Sequence, residues 1–193
     1  MLDRPLIMGV VNVTPDSFSD GGRHADARSA VAHARVLVAE GADILDVGGE
    51  STRPGAQPVA LDEERRRVLP VVEALADCGV PLSVDTQKPE LMREAVAAGA
   101  AMINDINAFG APGALDAVAD SQAALCIMHK QGDPQNMQHD PQYGDVLEDV
   151  LSFLRARASA ALAAGISADR LVIDPGFGFG KTLEHNLALL AGL

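Results

Sequence analysis

The sequence predicts an α/β protein of the (β/α)8 TIM-barrel type, of which these 193 residues supply about six βα units. Three observations support this prediction. Short apolar runs alternate with longer helical stretches, the apolar runs are continuous, and almost every run ends in a carboxylate or an amide. Continuous apolar runs are typical of strands that are covered on both faces, as strands are in parallel sheets.

The strands and helices follow one another in a regular order. The predicted strands span residues 6–11, 44–47, 81–84, 102–104, 124–128 and 171–173. The predicted helices span residues 25–39, 62–77, 89–98, 143–163 and 183–190, with a weaker one at 112–119. Several helices stop at a glycine shortly before the next strand, which is a common way for a helix to end.

Polar side chains at the strand ends favour a barrel over an open doubly wound sheet. Five of the six strands end in such a side chain: Asn12, Asp46, Asp85, Asn104 with Asp105, and Asp174. A ring of this kind is typical of a barrel mouth, whereas an open sheet would concentrate polar residues at its switch point. Any one of these residues could instead begin a turn or cap a helix. Five such residues in register at strand ends favour the barrel, although the fifth strand ends in Met128-His129-Lys130 instead.

The length and composition predict a single domain. A chain of 193 residues with 48% hydrophobic residues can bury one sizeable core. A barrel of this type usually needs about 250 residues and eight strands. We therefore expect residues 1–193 to form one barrel domain that is incomplete at its C-terminus, with strands 7 and 8 absent.

The net charge and the cysteines indicate which binding partners and which cellular compartment to expect. The net charge is −12 and the 15 Lys and Arg residues are scattered, which argues against a nucleic-acid partner. No apolar stretch approaches the roughly 18 to 20 residues of a membrane span. Cys78 and Cys126 stand far from each other and form no Cys-x-x-Cys pair, which is typical of reduced thiols. We expect a cytoplasmic protein with no membrane partner.

Two polar loops follow the first two strands. The first loop, residues 12–22, is long and contains a glycine pair, so it could close over a ligand, although an ordinary solvated loop would look similar. The second loop, residues 48–56, places Arg53 at a strand end. The planar guanidinium of arginine matches diphosphate or carboxylate, although a surface arginine in a turn is the simpler alternative.

The segment DPGFGFGKT at residues 174–182 follows a strand and opens a helix, as a phosphate-binding P-loop does. A P-loop requires glycine at the position that Pro175 occupies here, and proline has no N–H to donate. We therefore interpret the segment as a mobile glycine-rich loop that presents Phe177 and Phe179. These two rings could form a wall for an aromatic substrate, and simple core packing is an equally good explanation.

Six segments together resemble the successive signatures of the dihydropteroate synthase family, in order and at the family spacing. They are residues 12–22, residues 48–56, SVDT at 83–86, IND at 103–105, MHKQG at 128–132 and DPGFGFGK at 174–181. The resemblance implies a folate-biosynthesis transferase that is the target of sulfonamides. Its reaction condenses 6-hydroxymethyl-7,8-dihydropterin diphosphate with p-aminobenzoate, giving 7,8-dihydropteroate and diphosphate, with Mg²⁺ as cofactor.

The resemblance also implies a pterin site. By this comparison Asp85, Asn104 and Asp174 bind the pterin, and Met128 packs against its ring. The chemistry agrees, because a carboxylate accepts two hydrogen bonds from the adjacent N–H groups of a pyrimidine edge. Asn12 would contact the diphosphate or its Mg²⁺, which prefers oxygen ligands.

The p-aminobenzoate site is assigned by the same resemblance. Thr52, Arg53 and Pro54 from the second loop and Phe18, Ser19 and Asp20 from the first loop would complete it, with Phe179 as a wall. We assign catalytic roles to Phe18, Ser19, Asp20 and Arg53 and binding roles to the other residues. Asp20 is a candidate for holding the cationic methylene or the amine.

The match departs from the family pattern in two respects. Lys130 stands where family members often have an apolar residue. The 193 residues also lack the family's Ser-Arg-Lys-Ser segment and Arg-x-His pair. We expect either a truncated stretch of a complete enzyme or a degraded reading frame, inactive alone, with a homodimer at full length. A pterin-binding methyltransferase domain and a non-catalytic pterin-binding paralogue are the alternatives.

Overall fold

Six parallel strands and six α-helices alternate along the described part of the chain. This computed structural model describes residues 4–13, 23–52 and 55–192, without the side chains of residues 23–26. The strands are β1 (Met8–Asn12), β2 (Ile44–Gly48), β3 (Leu82–Asp85), β4 (Met102–Asp105), β5 (Ala124–Met128) and β6 (Leu171–Asp174). The helices are α1 (Arg23–Ala39), α2 (Leu61–Leu75), α3 (Pro89–Ala97), α4 (Ala114–Val118), α5 (Val146–Ala163) and α6 (Leu183–Ala191), and a short 3-10 turn at Ala168–Arg170 precedes β6.

Each strand pairs in parallel with the next one along the chain, so the sheet order is β1-β2-β3-β4-β5-β6. Parallel connections are almost always right-handed, and a strictly sequential order then puts every helix on the same face of the sheet. This is the connectivity of a barrel rather than of a doubly wound sheet, whose order reverses. The predicted α/β barrel architecture is confirmed for these six units.

The predicted elements differ from the observed ones mainly at their ends. The strand at 124–128 has the predicted bounds, whereas β2, β3, β4 and β6 each run one residue further, because the residue after the predicted end still pairs with a neighbouring strand. Helix α5 begins at Val146 and not at residue 143. The reason is a cap: the Asp145 carboxylate accepts the backbone N–H groups of Leu147 and Glu148.

The hydrophobic core lies between the outer face of the sheet and the helices. Side chains along a strand alternate between its two faces, so Leu45 and Val47 point to one face and Asp46 to the other. The fully buried core residues Leu45, Val47, Val84, Ile103, Leu125 and Ile127 come from the strands, and Val68, Leu75, Leu91, Met92 and Ala161 from the helices. Tight packing on this side fixes the strands and hence the positions of their polar ends.

The inner face of the sheet is polar at its centre and open at its edges. Asp85 is opposite Asn104, and Asn104 is opposite Cys126, so these side chains share that face. On the edge strands, Val10 is 54% exposed and Val172 is 46% exposed. Strands β1 and β6 do not pair with each other, so the barrel wall is open between them.

None of the helices in the described ranges has the length and apolar character needed to cross a membrane.

Replacement of Leu45 by alanine tests the placement of the core. Leu45 is fully buried, so the Leu45→Ala variant should lose about 2–5 kcal/mol of unfolding free energy through lost burial and a residual cavity. Leu162 on α5 is 48% exposed, so Leu162→Ala should change stability by less than about 0.5 kcal/mol. Urea denaturation of both variants provides the measurement. Equal losses at the two positions would contradict this account of the core.

Candidate functional site

The carboxyl ends of the strands bring several of the predicted site residues to one edge of the sheet. Asp85 is the last residue of β3 and lies opposite Asn104 of β4. Met128 ends β5 and lies opposite Asp174, which ends β6. Because the strands are parallel, all these ends lie at the same edge, and their register puts the side chains on the inner face.

The thiol of Cys126 shows how close the carboxylates come to one another. Cys126 lies on the inner face of β5, directly opposite Asn104. Burial, followed by the negative charges of Asp174, Asp46 and Asp85, raises the pKa of this thiol to about 12. Carboxylates from four strands, including Asp105 of β4, therefore act on this one thiol.

Asp85 is the most strongly perturbed of these groups. Burial raises the pKa of its carboxyl well above the usual range, and the negative charges of Asp46, Asp105, Glu64 and Glu50 raise it further. Hydrogen-bond donors and cations stabilise the ionised form of a buried carboxyl. A ligand that donates hydrogen bonds to Asp85 would restore that stabilisation.

Asp46 lies on the inner face of β2 and is only 6% exposed. The Asn104 amide donates a hydrogen bond from Nδ2 to Asp46 Oδ2 at 3.0 Å. Burial raises the pKa of Asp46, while Ser83 and Asn104 act in the opposite direction. The sequence showed Asp46 at a strand end but gave it no binding role, because a contact across β3 leaves no local signal.

Asp105 directly follows Asn104 in the sequence, but its side chain stabilises a turn and does not face the site. It points to the opposite face, is fully buried, and accepts the backbone N–H groups of Asn107 and Phe109, each at 2.7 Å. These bonds fix the turn after β4. Burial raises the pKa of Asp105 to about 6, although both bonds lower it.

A buried ion cluster holds the second loop against β3. Lys88 donates a hydrogen bond to Glu50 Oε2 at 2.6 Å and another to Glu64, which is fully buried on α2. Glu50 also accepts the backbone N–H of Val59. The sequence gave no hint of this cluster, because Glu64 lies in a charged run that is typical of a solvated helix face.

The glycine-rich loop after β6 is tightly held, whereas the sequence suggested a mobile loop. Asp174 Oδ1 accepts the Gly176 N–H at 2.7 Å, and the Tyr143 hydroxyl donates to the Gly180 carbonyl at 2.7 Å. Gly176 and Gly180 both have positive φ. A Cβ at Gly176 would overlap the carbonyl oxygen of His129, so this loop packs directly on the segment after β5.

The side chain of Lys181 holds this loop through hydrogen bonds to its backbone carbonyls. Its side chain is buried, and Nζ donates to the carbonyls of Gly176 at 2.9 Å and Phe179 at 3.0 Å. Nζ also lies 3.0 Å from Nδ1 of His129. Burial lowers the pKa of Lys181 to about 8, and burial together with the Lys181 charge lowers the pKa of His129 to about 4. A neutral His129 therefore accepts from Lys181 and helps to fix the loop that carries Phe179.

The remaining predicted residues divide into two groups. Asn12 ends β1 with an exposed side chain, Thr52 is partly buried, and Phe179 is partly exposed on the glycine-rich loop. Phe18, Ser19, Asp20, Arg53 and Pro54 lie outside the described residues, so their roles stay predictions.

A cavity of about 430 Å³ lies beside the second loop. Residues after β2, β3 and β5 line it, including Ser51, Gln87, Lys88 and Lys130. The Lys130 ammonium is 3.9 Å from Asp133, and its side chain is 11% exposed. Lys130, the unusual lysine of the MHKQG segment, therefore lies in the wall of this cavity. Ser51, another residue of the wall, directly precedes Thr52 in the sequence.

Within the described ranges, no three His, Cys, Asp or Glu side chains form a group that could hold a metal ion. Asn12 is the residue that sequence reasoning assigned to Mg²⁺. Mg²⁺ commonly binds through one or two protein oxygens, waters and substrate phosphates, so an exposed amide oxygen at a strand end suits it.

The close approach at Gly176 gives a test of the loop geometry. Gly176→Ala should lose about 1–3 kcal/mol of unfolding free energy, because the new methyl group meets the His129 carbonyl in a strained conformation. Gly178→Ala is the matched control, since Gly178 also has positive φ but has open space around it. Thermal denaturation compares the two. The packing argument fails if the control is equally destabilised.

The pKa of Asp105 gives a pH test. Its carboxyl holds its proton more firmly in the folded chain, so its contribution to stability is fully present below about pH 4 and is lost as the pH rises to about 6. Asp105→Asn removes this titration. The wild type should therefore lose more unfolding free energy than the variant between these pH values, as measured by urea denaturation. Parallel pH profiles would refute the assignment.

Comparison with known proteins shows the family of this chain. The family model described as "Pterin binding enzyme" matches residues 8–193. The dihydropteroate synthase of Escherichia coli strain K12 is 51% identical over 193 residues, which are 100% of this chain and 68% of that protein.

Two solved structures are similarly close. Dihydropteroate synthase from Burkholderia cenocepacia, complexed with 7,8-dihydropteroate, superposes with a TM-score of 0.88 at 54% identity over 99% of this chain and 65% of that one. The Xanthomonas albilineans enzyme with 4-aminobenzoic acid gives a TM-score of 0.91 at 58% identity over 98% and 67%. The chain therefore belongs to the dihydropteroate synthase family of pterin-binding enzymes.

Proposed function

We propose that this chain serves dihydropteroate synthesis, in which p-aminobenzoate replaces the diphosphate of 6-hydroxymethyl-7,8-dihydropterin diphosphate. One observation carries the proposal: Asp85, Asn104 and Asp174 lie on one inner face at the carboxyl ends of neighbouring strands, beside Met128. Relatives at 54% and 58% identity have been solved with 7,8-dihydropteroate and with 4-aminobenzoic acid.

The pterin ring fits this set of side chains. Its pyrimidine edge presents adjacent N–H groups, and the carboxylates of Asp85 and Asp174 are acceptors that can each take two such donors. Met128 is buried next to Asp174, where its thioether can pack against a flat ring. Donation from the ring would also stabilise the ionised form of Asp85, which burial disfavours.

The reaction exchanges one bond for another. The bond between the pterin methylene carbon and the diphosphate oxygen breaks, and its electron pair leaves with the diphosphate. The amine nitrogen of p-aminobenzoate then bonds to that carbon and gives up a proton. Carboxylates around the ring favour the positive charge that develops on the pterin, because such electrostatic stabilisation acts strongly where water is excluded.

The cofactor, the compartment and the assembly belong to the same proposal. Mg²⁺ would bind the Asn12 amide oxygen and the diphosphate, where it would neutralise the charge on the leaving group. A cytoplasmic location is supported by two free cysteines, Cys78 and Cys126. The homodimer rests on the family resemblance alone.

Calorimetric titration with the pterin diphosphate and Mg²⁺ tests the proposed site. Asp174→Asn should weaken binding about tenfold or more, because a charged hydrogen-bond acceptor is lost. The exposed Asp116→Asn on α4 is the matched control and should bind as the wild type does. Equal affinity of the wild type, Asp174→Asn and Asp116→Asn would contradict the proposal.

Turnover is a separate matter from binding. The Ser-Arg-Lys-Ser segment and the Arg-x-His pair do not occur in these 193 residues, so we expect little or no product from this chain alone. An assay for 7,8-dihydropteroate, with Asp85→Ala as the background, measures this. Clear activity above that background would contradict the expectation.

A further inference from the structure

The interior of the sheet contains a buried carboxylate that is not among the side chains proposed to contact the pterin. Asp46 is 6% exposed, and no cation forms an ion pair with it among the described residues. An ionised group in such a place is costly unless hydrogen bonds compensate. Its hydrogen bond from Asn104 therefore requires an explanation beyond packing.

The contact fixes which way the Asn104 amide faces. An amide side chain can turn about its last bond and exchange its NH₂ and carbonyl groups. An ionised carboxylate accepts hydrogen bonds but cannot donate them, so Asp46 Oδ2 holds the NH₂ group at 3.0 Å. The carbonyl oxygen is consequently turned away from Asp46.

That carbonyl oxygen is left without a partner. Asn104 Oδ1 is buried and has no hydrogen-bond donor among the described residues, whereas Asp46 lies beside the Ser83 hydroxyl, which acts on it as a donor. Native proteins leave few such atoms, and each costs free energy that a donor would recover. Such an atom on a residue that is itself proposed to bind a pterin points to a missing donor.

We propose that Asp46 is a positioning residue that locks the Asn104 amide with its carbonyl oxygen available to the ligand. Together with Asp85 and Asp174, Asn104 then presents acceptors only, so the site selects a heterocycle edge rich in N–H donors. The inference deepens the proposed function and rests on it for the identity of the ligand.

Asp46 lies deeper in the barrel interior than the strand ends that are proposed to bind the ligand. It is opposite Ser83, two residues before Asp85 on β3, and it reaches Asn104 on β4 across that strand. Asp46 therefore supports the floor of the site rather than its mouth. A purely structural role would make the same contact, so the test must separate support of the amide from support of the fold.

Two substitutions at position 46 make that separation. Asp46→Leu keeps the approximate size but removes the acceptor, and Asp46→Asn removes the charge but keeps a carbonyl that can accept from Asn104. Asp105→Asn is the matched control, because it alters a buried carboxylate that points to the opposite face.

The first readout is the side-chain amide of Asn104 in nitrogen-15 NMR spectra of the chain, assigned by its loss in Asn104→Asp. The signal should move on Asp46→Leu, because the NH₂ group loses its acceptor, and should stay near its wild-type position in Asp46→Asn and Asp105→Asn. An unchanged signal in Asp46→Leu overturns the proposal whatever ligand the chain binds.

The second readout is affinity for the pterin diphosphate, measured together with the urea midpoint. Asp46→Leu should bind about tenfold more weakly, since one ligand hydrogen bond loses its fixed partner. Asp46→Asn should recover most of that loss. The midpoint of Asp46→Leu should not fall, because removal of an unpaired buried charge is often neutral or stabilising.

The outcomes separate this inference from the proposed function. Wild-type affinity in Asp46→Leu, or a loss of stability that matches the loss of affinity, would overturn the positioning role. Absence of pterin binding in the wild type would defeat the proposed function instead, and the amide signal would still decide whether Asp46 holds Asn104.

Discussion

The functional geometry of this protein depends on sequential parallel pairing of its strands. Parallel strands put all their carboxyl ends at one edge, and the fixed register between β3, β4 and β5 puts Asp85, Asn104 and Cys126 side by side. Antiparallel pairing of any of these strands would send its polar end to the opposite edge. Core packing of residues such as Leu45 and Leu125 against the helices holds that register in place.

This arrangement gathers buried carboxylates whose negative charges oppose one another, and the charge distribution favours particular ligands. The chain has a net charge of −12, and Asp46, Asp85 and Asp174 all act on the buried Cys126. Carboxylates held this close resist ionisation unless donors or cations arrive. A neutral ring with several N–H donors, or one on which positive charge develops, suits such a pocket. The buried ammonium of Lys181 is committed to backbone carbonyls of the glycine-rich loop.

Sequence reasoning succeeded where the signal was local. Continuous apolar runs predicted all six strands, and the polar residues that follow them put Asp85, Asn104 and Asp174 at one edge of the sheet. The binding role of these three residues came from the family resemblance and stays a prediction. Sequence reasoning failed where partners are distant in sequence. Asp46 meets Asn104 58 residues away, and Lys181 meets His129 52 residues away. Neither residue has a neighbour that reveals its partner.

The glycine-rich loop after β6 shows a second limit of prediction from sequence. Its glycines suggested mobility, because glycine permits many backbone conformations. In the folded chain, Gly176 and Gly180 instead let the loop approach the segment after β5 so closely that no side chain would fit. Composition indicates which conformations are accessible, and only the packed neighbours decide whether the chain is free to exchange among them.

The surroundings of Cys126 have a consequence for chemical damage. Oxidants and alkylating agents attack the thiolate form of cysteine, and a pKa of about 12 keeps that form scarce at neutral pH. Burial also limits access to the sulfur atom. Burial, together with the negative charges of the surrounding carboxylates, thus keeps this thiol chemically inert at neutral pH.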